Sequence, residues 1–221
     1  MTMAEGNLSE DAWKTKPTDR FILKWIKCNL SARITPRLTG LAWLRPWMIT
    51  LGSALVGTLA GAVFALGHGF PAACIAAAAQ VLDGVDGQFA RLTNAQTKGG
   101  AFMDSVLDRY SDGAMMIGMT VYLVWLPAPV APWLLLVVGS AALIGTNLIS
   151  YSSARAEALG IDLGPPTLAS KGTRTTVMVL GGLGSAAWPP LPLVALVYLA
   201  VHATAVVAGR LIRAAAVRTK P

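Results

Sequence analysis

The sequence predicts an all-α integral membrane protein: six transmembrane helices preceded by an N-terminal interfacial amphipathic helix. Three observations carry that expectation. The 221 residues are 54% hydrophobic and only 13% charged. Six apolar runs, roughly 48–66, 71–91, 100–125, 133–154, 173–188 and 191–210, approach the length needed to cross a bilayer. The charges are also segregated. Connections near 67–70, 126–132 and 186–192 hold no Lys or Arg, and all 18 Lys and Arg and all 11 Asp and Glu lie at the termini, at the other connections, or at the adjoining ends of the runs. Basic residues collect on the cytoplasmic side of membrane proteins, so both termini are expected there.

The chain length suits one membrane domain over 46–221, with a cytoplasmic segment over 1–45. The net charge of +7 does not indicate nucleic-acid binding, because the basic residues follow the topology. They read as orientation signals and as attraction to anionic lipid or an anionic substrate. Cys28 and Cys74 lie in unrelated segments with no partner at metal-ligand spacing, which argues against a disulfide framework. The polar N-terminus gives no sign of a cleavable signal peptide.

Residues 1–17 are polar and are expected to be poorly ordered. Over 19–31, Arg20, Lys24, Lys27 and Ser31 form one polar stripe at helical spacing, with Phe21, Ile22, Trp25, Ile26 and Leu30 mostly elsewhere. A basic, aromatic-bearing amphipathic helix is suited to the membrane surface. Arg33, Arg37 and Arg45 add charge before the first span. Pro46 is placed to open that span at the first helical position. Gly52, Ala54, Gly57, Ala60 and Gly61 favour close helix packing.

The second and third spans meet at DGVDGQFARLTNAQTKGGAFMDSVLD, residues 83–108. Asp83 and Asp86 are spaced i, i+3 and Asp104 and Asp108 i, i+4, so each pair shares a helix face. Charge near membrane depth is expensive and marks a functional site. If the two helices face each other, the four carboxylates converge. Like charges that close do not all stay ionised unaided, and Mg²⁺ or Mn²⁺ would resolve the conflict with hard oxygen ligands. Gly84, Gly87 and Ala90 strip bulk from the first helix, which suggests close approach of a ligand. Arg91 is placed to bind phosphate or brace a carboxylate. Gly99 and Gly100 are expected to break the chain before the next helix. Arg109 and Asp112 read as bracing charges, and Met115, Met116 and Met119 as packing.

The fourth span ends in SYSSARAEALG and the fifth opens with LASKGTR, which gathers Arg155, Lys171 and Arg174 at the cytoplasmic mouth. Anion binding and topology signalling both fit those three. Asn147 reads as an interhelical hydrogen-bonding group and His202 as a structural hydrogen-bonder. The Arg210, Arg213, Arg218 and Lys220 tail is expected at lipid headgroups.

The run Asp83-Gly84, Asp86-Gly87, Ala90-Arg91, then Gly100, Asp104 and Asp108 resembles the full motif of the CDP-alcohol phosphotransferase (CDP-alcohol phosphatidyltransferase) family. GGAFMDSVLDRYSD and SYSSARAEALG look most like the branch that uses inositol phosphate, comprising phosphatidylinositol-phosphate synthases and di-myo-inositol-phosphate-phosphate synthases. Family members often carry Pro-Asn or Pro-Asp and then a hydroxyl residue at the first span; this chain has Pro46, Trp47 and Thr50. The resemblance implies that Asp83, Asp86, Asp104 and Asp108 hold divalent metal, two ions of Mg²⁺ or Mn²⁺, with Asp108 also the catalytic base. It implies a CDP site at Gly84, Gly87, Ala90 and Arg91, and an acceptor-phosphate site at Arg155, Lys171 and Arg174, with Lys171 standing where the branch often has Arg. The implied reaction moves a phospho-alcohol group from CDP-diacylglycerol or CDP-inositol to a hydroxyl of inositol phosphate and releases CMP. Glycerol phosphate and serine are alternative acceptors, and a homodimer is implied.

Three rivals are weaker. Intramembrane prenyltransferases are longer and lack the Gly87, Ala90, Arg91 pattern. An aspartate-lined cation transporter would need polar groups further across the membrane than this chain has. An inactive scaffold is at odds with a complete motif.

Overall fold

The computed structural model describes residues 21–127, 130–164 and 170–216. Residues 1–17, Arg20, Arg218 and Lys220, for which the sequence carried expectations, lie outside them. The described residues are all-helical in their regular structure. Two short helices, α1 (Phe21–Ile26) and α2 (Ala32–Leu38), flank a π-helical turn at Lys27–Ser31. Six longer helices follow: α3 (Pro46–Ala65), α4 (Gly69–Leu92), α5 (Lys98–Trp125), α6 (Pro132–Leu159), α7 (Lys171–Gly184) and α8 (Leu191–Ala216).

Among the described residues, α3, α6 and α8 are long and apolar enough to cross a membrane. Helices α4 and α5 are as long, at 24 and 28 residues, but carry the charged motif. Helix α7 has only 14 residues, about 21 Å at the usual helical rise, and begins later and ends earlier than a full span. Large apolar side chains point outward on the long helices, among them Leu55, Leu59, Ile144 and Val201. Such a continuous apolar exterior is what a lipid environment favours.

Helix boundaries follow local chemistry. Pro46 occupies the first turn of α3, where its missing N–H is no loss. Helix α4 ends in a left-handed Asn94 (φ 51°). There the Ala95 N–H donates to the Ala90 carbonyl at 2.8 Å and the Asn94 N–H to the Arg91 carbonyl at 3.2 Å, a paired C-terminal closure. Thr97 caps α5 by accepting from the Gly100 N–H at 2.9 Å. The break between the spans is therefore made by Asn94 and Thr97. Gly99 and Gly100 lie inside the first turn of α5, not in the break as the sequence suggested.

Helix α3 packs against both α4 and α5, and small residues make this possible. A Cβ on Gly57 would strike the Ser111 side chain, and one on Gly61 would strike the Ala114 carbonyl; Gly118 in turn abuts the Gly61 carbonyl. Backbones this close exclude side chains. Gly52, by contrast, faces open space. Below the motif, Met115, Met116 and Met119 are fully buried with Phe64, Leu123, Met178 and Leu196, which agrees with the packing role expected of the methionines. Asn147 donates to the Leu143 carbonyl of its own helix at 3.0 Å; among the described residues it makes this bond within α6 and not the interhelical one expected. His202 stacks on Tyr198 with ring centroids 5.2 Å apart. Among the described residues its buried Nε2 has no hydrogen-bond partner, so the ring is held there by stacking. Cys28 and Cys74 are free and exposed.

The α1–α2 segment is stitched to α4. Ser31 Oγ donates to the Val81 carbonyl at 2.8 Å, Thr35 Oγ1 to Gln88 Oε1 at 2.8 Å, and Gln88 Nε2 to the Lys27 carbonyl at 2.8 Å. Ser31, Thr35 and Gln88 are all buried, so these bonds replace water that the groups would otherwise need.

The α3–α5 contact yields a paired test. Gly61→Ala should destabilise the protein by about 1–3 kcal/mol through overpacking against backbone, whereas Gly52→Ala should leave the melting temperature in detergent unchanged or higher. Equal behaviour of the two variants would contradict the close approach.

Candidate active site

The motif lies where the C-terminal half of α4, the N-terminal half of α5 and the first turn of α7 come together. Three of the four expected carboxylates converge: Asp83, Asp104 and Asp108 each offer an oxygen, and these oxygens lie within 4.8 Å of one another. Asp86 is not part of that trio. It is turned toward α3, where Thr50 Oγ1 donates to its Oδ2 at 2.7 Å, and the Gly87 N–H donates to its Oδ1 at 2.5 Å. The expected convergence of all four on one point is thus corrected: three meet, and the fourth sits beside them, buried and held by Thr50. Gln80, one turn before Asp83, donates to Asp83 Oδ2 at 3.4 Å.

Lys171 lies among the aspartates. Its Nζ is 2.5 Å from Asp83 Oδ1 and also pairs with Asp108 Oδ1. Helix α7 delivers it there because Ser170 caps the helix, its Oγ accepting from the Thr173 N–H. Arg174, almost fully buried, donates to the Thr146 carbonyl at 3.1 Å and to Asp112 Oδ2 at 3.4 Å. Arg109 lies 3.8 Å from both Asp108 and Asp112 and donates to Ser150 Oγ. Arg109 and Asp112 therefore brace the site, as expected. Arg155 is exposed on α6. Of the three basic residues that the sequence gathered at the mouth, only Lys171 and Arg174 contact the aspartate layer.

The four residues expected at a CDP site divide by environment. Gly87 and Ala90 are half-buried, and the Arg91 guanidinium lies 3.4 Å from where a Gly87 Cβ would stand. Gly84 is fully covered, and a Cβ there would meet Ser31 Oγ and the Lys27 side chain. Its lack of bulk admits the N-terminal segment. Missed by sequence reasoning were Gln80, Ser150, Thr146, Gln88 and Thr35. The i, i+3 spacing of Gln80 to Asp83 was a usable signal; the others depend on contacts between helices.

The donor set fits a hard divalent cation. Asp83, Asp104 and Asp108 present carboxylate oxygens within reach of one ion, and among the described residues no cysteine or histidine joins them, a chemistry suited to Mg²⁺ or Mn²⁺.

An all-helical membrane-type fold with an aspartate cluster at the junction of two helices is the setting for transfer chemistry on a charged phosphate group. The family model for CDP-alcohol phosphatidyltransferase matches residues 43–211, and the chain belongs to that family. It is an enzyme, a CDP-alcohol phosphotransferase. The phosphatidylinositol phosphate synthase of Mycobacterium marinum is 36% identical over 181 residues, covering 77% of this chain and 74% of the relative. The crystal structure of Mycobacterium tuberculosis phosphatidylinositol phosphate synthase with CDP-DAG bound has a TM-score of 0.75 at 24% identity, covering 87% of this chain and 98% of that one. The same enzyme in complex with manganese and citrate gives 0.76 at 24% identity, covering 87% and 94%. At that identity the structures establish the fold.

The Thr50–Asp86 bond predicts that Thr50→Val, which keeps the shape and removes the donor, lowers kcat/KM about 10–100-fold, because the buried Asp86 carboxylate beside the trio loses the side chain that orients it. Steady-state CMP release by the purified variant, with its melting temperature as folding control, checks this.

Proposed function

We propose that the protein transfers a phospho-alcohol group from a CDP-alcohol to a hydroxyl of inositol phosphate and releases CMP, a step of phospholipid biosynthesis. The observation that carries this reading is the convergence of Asp83, Asp104 and Asp108 in a chain of this family. The M. marinum synthase supports inositol phosphate as acceptor. The CDP-DAG and manganese complexes of the M. tuberculosis synthase support CDP-diacylglycerol as donor and Mn²⁺ or Mg²⁺ as cofactor.

In this reading Asp83, Asp86, Asp104 and Asp108 hold two divalent ions. When bound, these supply positive charge that offsets the diphosphate of the donor. Thr50 and the Gly87 N–H fix the Asp86 carboxylate, so it needs no reorganisation to serve. Gly87 and Ala90 leave room for the nucleotide beside Arg91, which binds phosphate. Gly84 contributes by letting the N-terminal segment close over α4. Asp108 accepts the proton of the attacking acceptor hydroxyl. That oxygen attacks the phosphorus distal to cytidine, the bond to the CMP oxygen breaks, and CMP leaves. Lys171 and Arg174 bind the acceptor phosphate from α7, with Arg155 at the outer mouth.

The bilayer placement is part of the same proposal. Helices α3 to α8 form a six-helix domain over 46–221, with α4, α5 and α7 completing the set of spans. The segment 1–45 lies at the cytoplasmic surface, where exposed Trp25 and Trp43, with Trp47 at the start of α3, suit the headgroup region. Both termini and the aspartates face the cytoplasm, and two copies form a homodimer.

CMP release with Mg²⁺ tests the reaction, using CDP-diacylglycerol and CDP-inositol as donors and inositol phosphate, inositol, glycerol phosphate and serine as acceptors. CMP is expected from CDP-diacylglycerol with inositol phosphate. Release with a phosphate-free acceptor would remove Arg155, Lys171 and Arg174 from the acceptor site. Asp108→Asn should abolish turnover and spare CDP binding; normal turnover by that variant would sink the base assignment.

A further inference from the structure

The Lys171 ammonium sits on two of the three carboxylates that would hold the cation. It pairs with Asp83 Oδ1 at 2.5 Å and with Asp108 Oδ1. Those two residues are two of the three whose oxygens lie within 4.8 Å of one another. A divalent ion held by Asp83, Asp104 and Asp108 and an ammonium held between Asp83 and Asp108 would share two carboxylates, and like charges that close repel in a site screened from water.

We propose that Lys171 is a built-in counter-cation of the metal-free enzyme, displaced when the divalent ion binds and thereby released to meet the anionic acceptor. The first half rests on the Lys171 contacts and on the metal reading above, and the second half on the acceptor reading.

Three features of the chain suit Lys171 to this role. An ammonium is a compact point charge on a flexible four-carbon stem, so it can enter a cation's position and leave again. Lys171 is the first residue of α7, fixed at its backbone by the Ser170 cap, so its side chain can swing without moving the helix. The neighbouring cations are otherwise engaged: Arg174 with Asp112 and the Thr146 carbonyl, Arg109 with Asp108, Asp112 and Ser150. Arg109 reaches one of the cluster carboxylates, Asp108, at 3.8 Å, whereas Lys171 bridges two, Asp83 and Asp108. Metal binding removes those partners and leaves a positive charge at the mouth of the site. Inositol phosphate then binds more tightly with metal than without it, and by linkage the metal binds more tightly with inositol phosphate present.

The test is Mn²⁺ binding to the intact protein in detergent, followed by calorimetry without substrates. Lys171→Met, which keeps length and removes charge, is expected to bind Mn²⁺ about tenfold more tightly, because the wild type must first vacate the site. Equal or weaker binding by the variant overturns the proposal. A readout on the wild type covers a variant that fails to fold. Brief exposure to an amine-acylating reagent, read by mass spectrometry, should label Lys171 faster with Mn²⁺ than with EDTA, with exposed Lys24 and Lys98 as internal references. Unchanged or slower labelling of Lys171 overturns displacement. The acceptor reading fails separately: a Lys171→Met enzyme with unchanged KM for inositol phosphate would remove Lys171 from the acceptor site and leave the metal result standing.

Discussion

Mutual repulsion among the Asp83, Asp104 and Asp108 carboxylates is the constraint around which the fold is arranged. Three such groups within 4.8 Å, at the end of an apolar bundle, stay ionised together only if positive charge is brought to them. The small-residue face of α3 lets α5 come close enough for the α5 aspartates to meet the α4 aspartate. The Asn94 closure and the Thr97 cap set where each helix stops and starts. The short α7 places Lys171 at the point of highest negative charge.

Behind this layer lies a second one of opposite balance. Asp112 is one turn beyond Asp108, about 6 Å along α5. It is shared by Arg109 and the buried Arg174. A buried charge without a partner is severely destabilising, so Asp112 is committed to these guanidiniums and is not available as a ligand. Arg174 also ties α7 to α6 through the Thr146 carbonyl. The layer therefore fixes the frame on which Lys171 moves. The methionine-rich core beneath it carries no charge.

Much of this was legible in the sequence because it depends on spacing along single helices. The shared face of Asp104 and Asp108 follows from helical spacing, and the Pro46 start from proline's fitness for the first turn. What the sequence hid depends on contacts between helices. Nothing local says that Thr50 on α3 reaches Asp86 on α4, or that Asp86 is thereby drawn out of the trio. Gly84 reads as space for a ligand, yet the nearest occupant is Ser31, fifty-three positions away. Lys171 reads as one of a basic cluster, but the chain brings it to carboxylates while Arg155 stays exposed. Gly99 and Gly100 look like the stronger breakers in the sequence, yet it is the left-handed Asn94 that closes α4.

The most direct measurement is anomalous scattering from crystals of the protein soaked in Mn²⁺. The account predicts a manganese peak within coordination distance of Asp83, Asp104 and Asp108, with the Lys171 Nζ withdrawn from between Asp83 and Asp108. A structure at saturating Mn²⁺ with no peak among these residues, and Lys171 still bridging the two carboxylates, would contradict it.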